Sequence, residues 1–402
     1  MKLQLTKSKS IEIGFGGKGA KRPSAADLTG VELFGGDARG CPAVRLVRRK
    51  GVWHLAAAGF VPAPGGELPE KWEDTPHQPK WELPTPFQAP HAAIAVNSTQ
   101  AVFAQATADT IVQDIARGPS AAKAEPGGAA GAQKRLGLRR PAQAQPPPER
   151  SAPAKKAPAL PEPGVPLSEN GLRVAIRPTA EQGFHLEAAL PEFQALWLSR
   201  LLPEGRRPTA SSIQPRDAAL MASVLAQPLF REAGGDALAV FVGDRSIHFA
   251  GYKAGAPVLW RRCPAAGGYQ ALREAIKRGL GVGDDLVESV LDDSLVDPRS
   301  ALEPLLGPVL DELELSRAYL ADRHAVRPAK IILLGLPAGA AYWRRFALES
   351  HRLDLAAPGV FEGVEFPAKA KPGEIDAAAQ GADATAFLPA LGAALAAAEV
   401  DQ

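Results

Sequence analysis

Three polar residues in one short stretch, Asp244, Ser246 and His248, have the side-chain types of a hydrolase triad. In such a triad a histidine takes the proton of a serine nucleophile, and an acid orients the histidine. Ser246 and His248 alternate along a predicted strand, so their side chains point to the same face. Three residues of a single strand cannot present base and nucleophile to each other in the required geometry. The pattern therefore favours an exposed strand face over a catalytic site.

Metal-binding and phosphate-loop chemistry have little support in the sequence. The seven histidines are scattered, and the chain has only two cysteines, Cys41 and Cys263. Two cysteines provide neither a disulfide framework nor a set of zinc ligands. The glycines of residues 14–18 precede a lysine, but the spacing and the following Ser or Thr of a phosphate loop are missing. We therefore predict no metal site.

Composition and charge restrict the class of protein. The chain has 402 residues, 46% of them hydrophobic and 22% charged, which is typical of folded globular proteins. Lys and Arg number 46 against 44 Asp and Glu, a net charge of +2, so no overall field draws the protein to nucleic acid. The start lacks the apolar core of a signal peptide, and no stretch has 18 consecutive apolar residues. We expect a cytoplasmic protein.

A change of composition divides the chain. Residues 118–168 contain eleven prolines and almost no large apolar side chain. Such a segment buries too little surface to offset the entropy of ordering it, which predicts a flexible linker. The predicted organisation begins with a basic N-terminal segment (1–27) and the first part of a first lobe (28–117). After the linker (118–168) come a continuation or inserted subdomain of the first lobe (169–235) and a second lobe (236–402).

Two similar patterns lie about 200 residues apart. Each is a short apolar strand, a glycine-containing turn and a hairpin with rough period-2 alternation, which predicts a three-stranded meander. Such a repeat indicates a duplicated domain. After the second meander, helical spacing predicts helices over 269–278, 286–291 and 302–322, and an apolar run predicts a buried strand over 329–335. A small-residue helix is predicted over 384–400. The predicted meanders span residues 29–60 and 237–263.

The chain resembles the PilM family of actin-like proteins from type IV pilus and type II secretion machinery, most closely in its last third. The resemblance rests on the double glycine Gly267–Gly268 before a helix, on Glu314-Leu-Ser-Arg317, and on the apolar strand ending at Gly335. It covers residues 28–117 and 170–398. The resemblance implies an α/β fold of the actin-like, RNase H-like class, duplicated into two lobes, with a disordered Pro/Ala-rich insert.

The nucleotide-binding motifs of that superfamily look degenerate here. Its members hold ATP between two hairpins whose first strands end in Asp-x-Gly, because turn amides bind phosphate and the carboxylate handles Mg²⁺. In this chain Glu32 occupies the first Asp position and Phe241 the second, and a phenylalanine cannot bind a metal. The resemblance implies that a remnant of the cleft would be formed by Glu32, Gly35, Gly243, Asp244, Gly267, Gly268, Glu314, Arg317 and Gly335.

The resemblance also implies a function. Proteins similar to PilM are adaptors, peripheral to the inner membrane, that bind the cytoplasmic tail of a bitopic PilN-like protein and connect pilus or secretion platform and motor proteins. We expect a scaffold of this kind, with a homo-oligomer as one option and without a nucleic-acid partner. The partner-binding groove is expected near Glu32 and the strand of residues 92–96. The phenylalanine at position 241 favours a protein that is not an enzyme. ATP with Mg²⁺ is kept as an alternative cofactor. The alternatives are an active ATPase or sugar-kinase-like phosphotransferase, and a filament-forming actin-like protein.

Overall fold

The structure of the protein is a computed structural model. It describes residues 27–71, 81–107, 110, 172–179, 184–202, 208–263, 267–292, 296–367 and 374–399. The predicted linker of residues 118–168 and the predicted N-terminal segment lie outside the described residues, apart from Asp27. Within the described part of the chain, no helix combines the length and the hydropathy needed to cross a bilayer.

The first sheet has five strands in the order β3-β2-β1-β4-β8. Strands β1, β2 and β3 form the predicted antiparallel meander, and β4 and β8 continue the sheet in parallel. The central strands are buried on both faces, which agrees with their nearly continuous apolar sequence. The strands are β1 (Asp27–Leu33), β2 (Cys41–Arg49), β3 (Val52–Val61), β4 (His91–Val96) and β8 (Thr209–Pro215).

The second sheet has the order β11-β10-β9-β12-β13. Its first three strands are again antiparallel neighbours, and β12 runs parallel to β9. Each sheet therefore places a meander beside a parallel strand next to its first strand, which is the duplication that the sequence predicts. The strands are β9 (Ala237–Val242), β10 (Ile247–Lys253), β11 (Ala256–Arg262), β12 (Ile331–Leu334) and β13 (Leu355–Ala356).

A smaller antiparallel sheet lies within the first half of the fold. Its strand order is β5-β7-β6, and along the chain these three strands come after β4 and before β8. The side-chain amide oxygen of Gln105 in this sheet accepts a hydrogen bond from the backbone of Trp260, at 3.4 Å, so the small sheet contacts the second five-stranded sheet. Its strands are β5 (Val102–Thr107), β6 (Leu172–Pro178) and β7 (Phe184–Pro191).

The helices of the described residues follow the strands in each half. Those of the second half match the helices that the apolar spacing predicts, with ends displaced by a few residues. The helices are α1 (Glu192–Ser199), α2 (Arg216–Ser223), α3 (Pro228–Glu232), α4 (Gly268–Leu280), α5 (Val287–Asp292), α6 (Arg299–His324), α7 (Ala340–His351) and α8 (Leu388–Glu399).

The C-terminal helix α8 belongs structurally to the first lobe. It packs on β1 and on helix α2, and Ala390 and Leu391 are fully buried there. The range 236–402, predicted as the second lobe, is therefore wrong for this helix. Small residues such as Ala390 let two backbones approach closely, and the sequence pattern does not tell which sheet a helix of that kind will contact.

A single apolar core joins the two lobes. It includes Leu46 of the first sheet, Leu391 of α8 and Phe241 of the second sheet. The hydroxyl of Tyr252 on β10 donates a hydrogen bond of 2.6 Å to the backbone carbonyl of Met221 on α2 in this buried region. Contacts of this kind fix the second sheet against α2 of the first lobe.

Residues 62–71 and 81–90, the described residues between the first meander and β4, contain no α-helix. Trp81 and Phe87 are buried against the first sheet, and the indole N–H of Trp81 donates to the carbonyl of Pro62 at 2.8 Å. The aromatic side chains of this segment that the structure describes thus serve core packing. In the second lobe the corresponding connection carries α4, α5 and α6.

The outer edge of β3 is covered by the chain itself. The backbone of Glu365 exchanges hydrogen bonds with Trp53 and Leu55, at 2.9 and 2.8 Å. Farther along the same edge, Asp376 donates to the carbonyl of Ala58 at 2.7 Å. Covering the edge strand in this way removes a row of unpaired backbone groups that would otherwise invite pairing with another chain.

Candidate functional site

The candidate site lies where the carboxyl ends of β1 and β9 meet. Glu32, near the end of β1, is 3% exposed. Its Oε1 accepts a hydrogen bond of 2.6 Å from Nε of Arg216, the first residue of α2. The side chain of Arg216 is 30% exposed, so the ion pair has one face open to solvent. Gly35 lies beside Glu32, close enough for a Cβ there to contact its carboxylate.

Charges on both lobes act on this ion pair. Burial raises the pKa of Glu32 above its ordinary value, and Arg216 opposes that rise through its charge and its hydrogen bond. Asp244, on the second lobe, and Asp37 add to the rise in the pKa of Glu32 because like charges disfavour a second carboxylate. Arg216 is thus the cation that faces Glu32 and Asp244 together.

The turn between β9 and β10 is closed by its own hydrogen bonds. The amide of Gly243 donates to the carbonyl of Ser246 at 2.8 Å. The carbonyls of Gly243 and Asp244 accept hydrogen bonds of 2.8 and 2.9 Å from the amides of Tyr269 and Gln270 in the first turn of α4. Amides at a helix start and in a tight turn are the groups that usually bind phosphate. In this structure the amides of Gly243, Tyr269 and Gln270 instead donate to backbone carbonyls of the protein itself.

The predicted double glycine explains this close contact. Gly268 has a positive φ of 73°, and a Cβ at this position would overlap the carbonyl oxygen of Gly243. Only glycine lets α4 approach the turn so closely. Gly267 is the N-cap residue of α4. Gly268 therefore allows the helix to pack against the hairpin at the candidate site.

Phe241 is one of the larger buried side chains of the inter-lobe core. It is 2% exposed, and its ring centroid is 6.0 Å from that of Trp260. It lies in register with Leu334 on β12 and His248 on β10. At the position where the resemblance implies a metal-binding carboxylate, the chain therefore places an apolar ring in an apolar core.

His248 is buried, so the prediction of an exposed strand face is wrong. It is 7% exposed and stacks on Trp260 with ring centroids 5.0 Å apart. Its Nε2 lies 3.0 Å from the hydroxyl of Ser246. Burial lowers the pKa of His248, which keeps the ring neutral near neutrality. The face is buried because it looks toward the other lobe, which alternation along one strand cannot reveal.

Gly335 lies beside the same junction. A Cβ there would overlap the carbonyl oxygen of Val242 at the end of β9. Gly335 and Leu336 also line a cavity of about 790 Å³, whose walls come from the end of β12 and from the segments that return to the first lobe. The cavity is lined largely by apolar side chains such as Val360 and Phe361.

Glu314 and Arg317 lie elsewhere. Both line a depression of about 700 Å³ on the surface of α6, together with Leu315, which is 59% exposed. That depression shares no lining residue with the cavity at Gly335. The structure thus brings together Glu32, Gly35, Gly243, Asp244, Gly267, Gly268 and Gly335 around the ends of β1, β9 and β12, and leaves Glu314 and Arg317 on another surface.

Magnesium and nucleotide do not fit these residues as they stand. Phe241 supplies no oxygen ligand, Arg216 already occupies the carboxylate of Glu32, and the turn amide of Gly243 is used within the chain. Mg²⁺ prefers oxygen ligands, and phosphate needs free amides or cations. Among the described residues, no group of three or more His, Cys, Asp or Glu side chains is arranged to hold a metal ion.

Sequence reasoning missed two residues of this site. Arg216 belongs to no motif, and its pairing with Glu32 joins residues 184 positions apart. Gln214 lies in register with Ala95, which is itself in register with Glu32, so the three residues form a row across the parallel strands. The side-chain nitrogen of Gln214 is buried and has no hydrogen-bond partner among the described residues.

Comparison with known proteins supports the fold. No protein-family model and no curated protein matches the sequence. A solved structure of a PilM-PilN type IV pilus biogenesis complex matches with a TM-score of 0.51 and 16% identity, over 94% of this chain and 99% of that chain. Together with the two corresponding sheet orders, this match confirms the predicted duplicated actin-like α/β fold.

Two further solved structures are more distant. A Bacteroides thetaiotaomicron protein with an actin-like ATPase fold and unknown function matches with a TM-score of 0.35 and 9% identity, over 85% of this chain and 95% of that chain. An archaeal actin homologue matches with a TM-score of 0.34 and 17% identity, over 52% of this chain and 65% of that chain.

Proposed function

We propose that the protein is an adaptor of a type IV pilus or type II secretion assembly platform. It binds the cytoplasmic tail of a bitopic, PilN-like inner-membrane protein, works in the cytoplasm at the membrane surface, and does not use nucleotide. One observation carries the proposal: the match to the PilM-PilN structure extends over 94% of this chain, while Phe241 lies in an apolar core at the position where the resemblance implies a metal-binding carboxylate. A fold without that carboxylate is compatible with a binding role.

The first lobe offers contacts suited to extended chain. Side-chain amides of Gln194 and Gln100 donate to the backbone carbonyls of Pro69 and Glu70, at 2.9 and 3.0 Å. These bonds hold a segment of the protein itself through its backbone carbonyls and do not involve its side chains. Recognition of a partner tail through its backbone would use the same kind of contact.

The proposed groove lies beside the carboxyl ends of β1 and β4. Phe34, half-buried just after β1, packs against Trp197 of α1 with ring centroids 6.1 Å apart. The side-chain nitrogen of Asn97, just after β4, donates to the carbonyl of Phe34 at 3.2 Å. An aromatic ring next to polar groups at the ends of two strands suits a short tail with one or two apolar residues.

Calorimetry with a tail peptide tests the proposal. The probe is a synthetic peptide of the cytoplasmic tail of a single-span membrane protein encoded beside this chain. We expect binding to the full chain in the absence of nucleotide, and weaker binding to Phe34→Ala. Leu315→Ala, on the distant surface of α6, is the matched control and should bind as the unmodified chain does. Hydrolysis of Mg-ATP together with no binding of the peptide would instead support the ATPase alternative.

A further inference from the structure

The ion pair between Arg216 and Glu32 has an unusual position for a structural contact. Arg216 begins α2 immediately after β8, and Glu32 ends β1, so both lie at the edge where the resemblance implies a nucleotide. Asp244 of the other lobe is near enough for its charge to act on both members of the pair. The guanidinium of Arg216 therefore pairs with a carboxylate of one lobe and lies within electrostatic range of a carboxylate of the other.

A buried carboxylate needs a compensating charge. Glu32 is almost fully buried, and an unpaired carboxylate in such surroundings is costly unless it takes up a proton. In a nucleotide-binding site that compensation comes from a bound metal ion. Here the guanidinium of Arg216 supplies that charge, and its Nε donates a hydrogen bond of 2.6 Å to the Glu32 carboxylate.

We infer that Arg216 supplies from within the chain the positive charge at Glu32 that a bound magnesium ion would otherwise have to supply, so the cleft is complete without a ligand. The inference deepens the proposed loss of nucleotide use, and it rests on that proposal for its functional meaning. It also accounts for an acidic residue being kept at the first phosphate hairpin although the second carboxylate position holds Phe241.

Solvent access makes the inference testable. The side chain of Arg216 is 30% exposed, so its removal opens a path from solvent to the carboxylate of Glu32. A divalent cation is then able to take the vacated position, with Glu32 and Asp244 supplying negative charge. In the unmodified chain the same path is blocked by the guanidinium.

The experiment measures thermal unfolding of the full chain with and without millimolar MgCl₂ and no nucleotide. We expect Arg216→Ala to lower Tm by roughly 5 °C or more, because it leaves Glu32 buried without its cation. Added Mg²⁺ should recover a clear part of that loss in Arg216→Ala and leave the unmodified Tm unchanged. The double variant Glu32→Gln, Arg216→Ala should regain stability relative to Arg216→Ala and show no response to Mg²⁺.

A conservative variant and a pH profile separate a charge role from simple packing. Arg216→Lys keeps the positive charge and should stay close to the unmodified Tm, without a Mg²⁺ response. In Arg216→Ala the pKa of Glu32 loses the opposing effect of the guanidinium, so the folded protein retains the carboxyl proton to higher pH. Its stability relative to the unmodified chain should therefore fall as the pH rises above the ordinary carboxyl value of 4.5.

Several results would overturn the inference. A Tm of Arg216→Ala equal to that of the unmodified chain, or a Mg²⁺ response of equal size in all variants, would show that Arg216 does not compensate Glu32. Stabilisation of the unmodified chain by Mg-ATP would also contradict it. Failure of the tail peptide to bind would instead remove the adaptor proposal and leave the role of Arg216 intact, so the two failures are distinguishable. If Arg216→Ala does not fold, the double variant Glu32→Gln, Arg216→Ala should still fold, because it removes the carboxylate together with its cation. Failure of the double variant as well would show that Arg216 acts through packing and would overturn the inference.

Discussion

Gly392 of helix α8 lies directly against the backbone carbonyl of Ala219 in helix α2. A Cβ at residue 392 would overlap that oxygen. In an isolated helix, replacing glycine by alanine would stabilise by about 1 kcal/mol. Here the steric conflict is with rigid backbone, so we expect Gly392→Ala to lower the free energy of unfolding by about 1–3 kcal/mol. Chemical denaturation of the full chain measures the change.

Gly307 in helix α6 is the matched control for Gly392. A Cβ at Gly307 would meet no heavy atom within 4 Å. Alanine has the better helix propensity, but Pro308 follows directly and disfavours a residue with a Cβ in the helical conformation, so Gly307→Ala should change the free energy of unfolding by less than about 1 kcal/mol. Equal effects of the two substitutions would contradict the close packing of α8 on α2.

The contact of α8 shows what the sequence could and could not predict. The run of small apolar residues predicts the helix itself, and the two meanders predict the duplication, because hydrophobic periodicity is a local property of the chain. The partner of α8 is a helix more than 160 residues earlier in the sequence, and no local pattern encodes that choice. The same reason explains why β3 acquires its covering segment around Glu365 without any sequence signal.

Phe241 gives a second prediction. The ring lies in the core that joins the lobes, beside Trp260 and Leu334. Phe241→Asp introduces the carboxylate that the resemblance implies at this position but buries a charge without a partner, so we expect a loss of more than about 4 kcal/mol or failure to fold. Phe241→Leu keeps an apolar side chain and should lose less. Denaturation curves compare the two, and a stable Phe241→Asp protein would show that the ring is not part of the core.

The candidate site was partly predictable. Glu32, Gly35, Gly243, Gly268 and Gly335 were placed by their resemblance to turns that approach a ligand, and the structure brings them together. Glu314 and Arg317 came from the same resemblance but lie on the outer surface of α6, because a helix presents residues three apart to a side that its packing decides. Arg216 belongs to no motif, so the sequence does not distinguish it from the other arginines.

His248 gives a pH dependence with a definite sign. Burial lowers the pKa of this ring below its ordinary value of 6.5; Asp217 opposes the effect, and Arg262 and Arg216 add to it. Below pH 6.5 the unfolded chain takes up a proton that the folded chain does not, so stability falls as the pH falls toward the lowered pKa. The loss is up to about 1.4 kcal/mol for each pH unit in that window. Denaturation across this range should show it.

His248→Gln isolates that contribution from other titrating groups. The variant keeps a polar side chain of similar length but has no proton to gain near neutrality. We expect the unmodified chain to lose its advantage over His248→Gln progressively as the pH falls below 6.5. Parallel curves for the two proteins would mean that His248 is not held in its neutral form by burial.

Tyr252 provides a test of how firmly the lobes are joined. Its hydroxyl donates to the carbonyl of Met221 on α2 at 2.6 Å, in a buried region between the lobes. Tyr252→Phe removes this bond and should lower the free energy of unfolding by about 0.5–1.5 kcal/mol. The control is Tyr342→Phe, because the buried hydroxyl of Tyr342 has no partner among the described residues. Removing an unpaired buried hydroxyl is neutral or stabilising, so a loss from Tyr342→Phe as large as that from Tyr252→Phe would contradict an inter-lobe role for the Tyr252 bond.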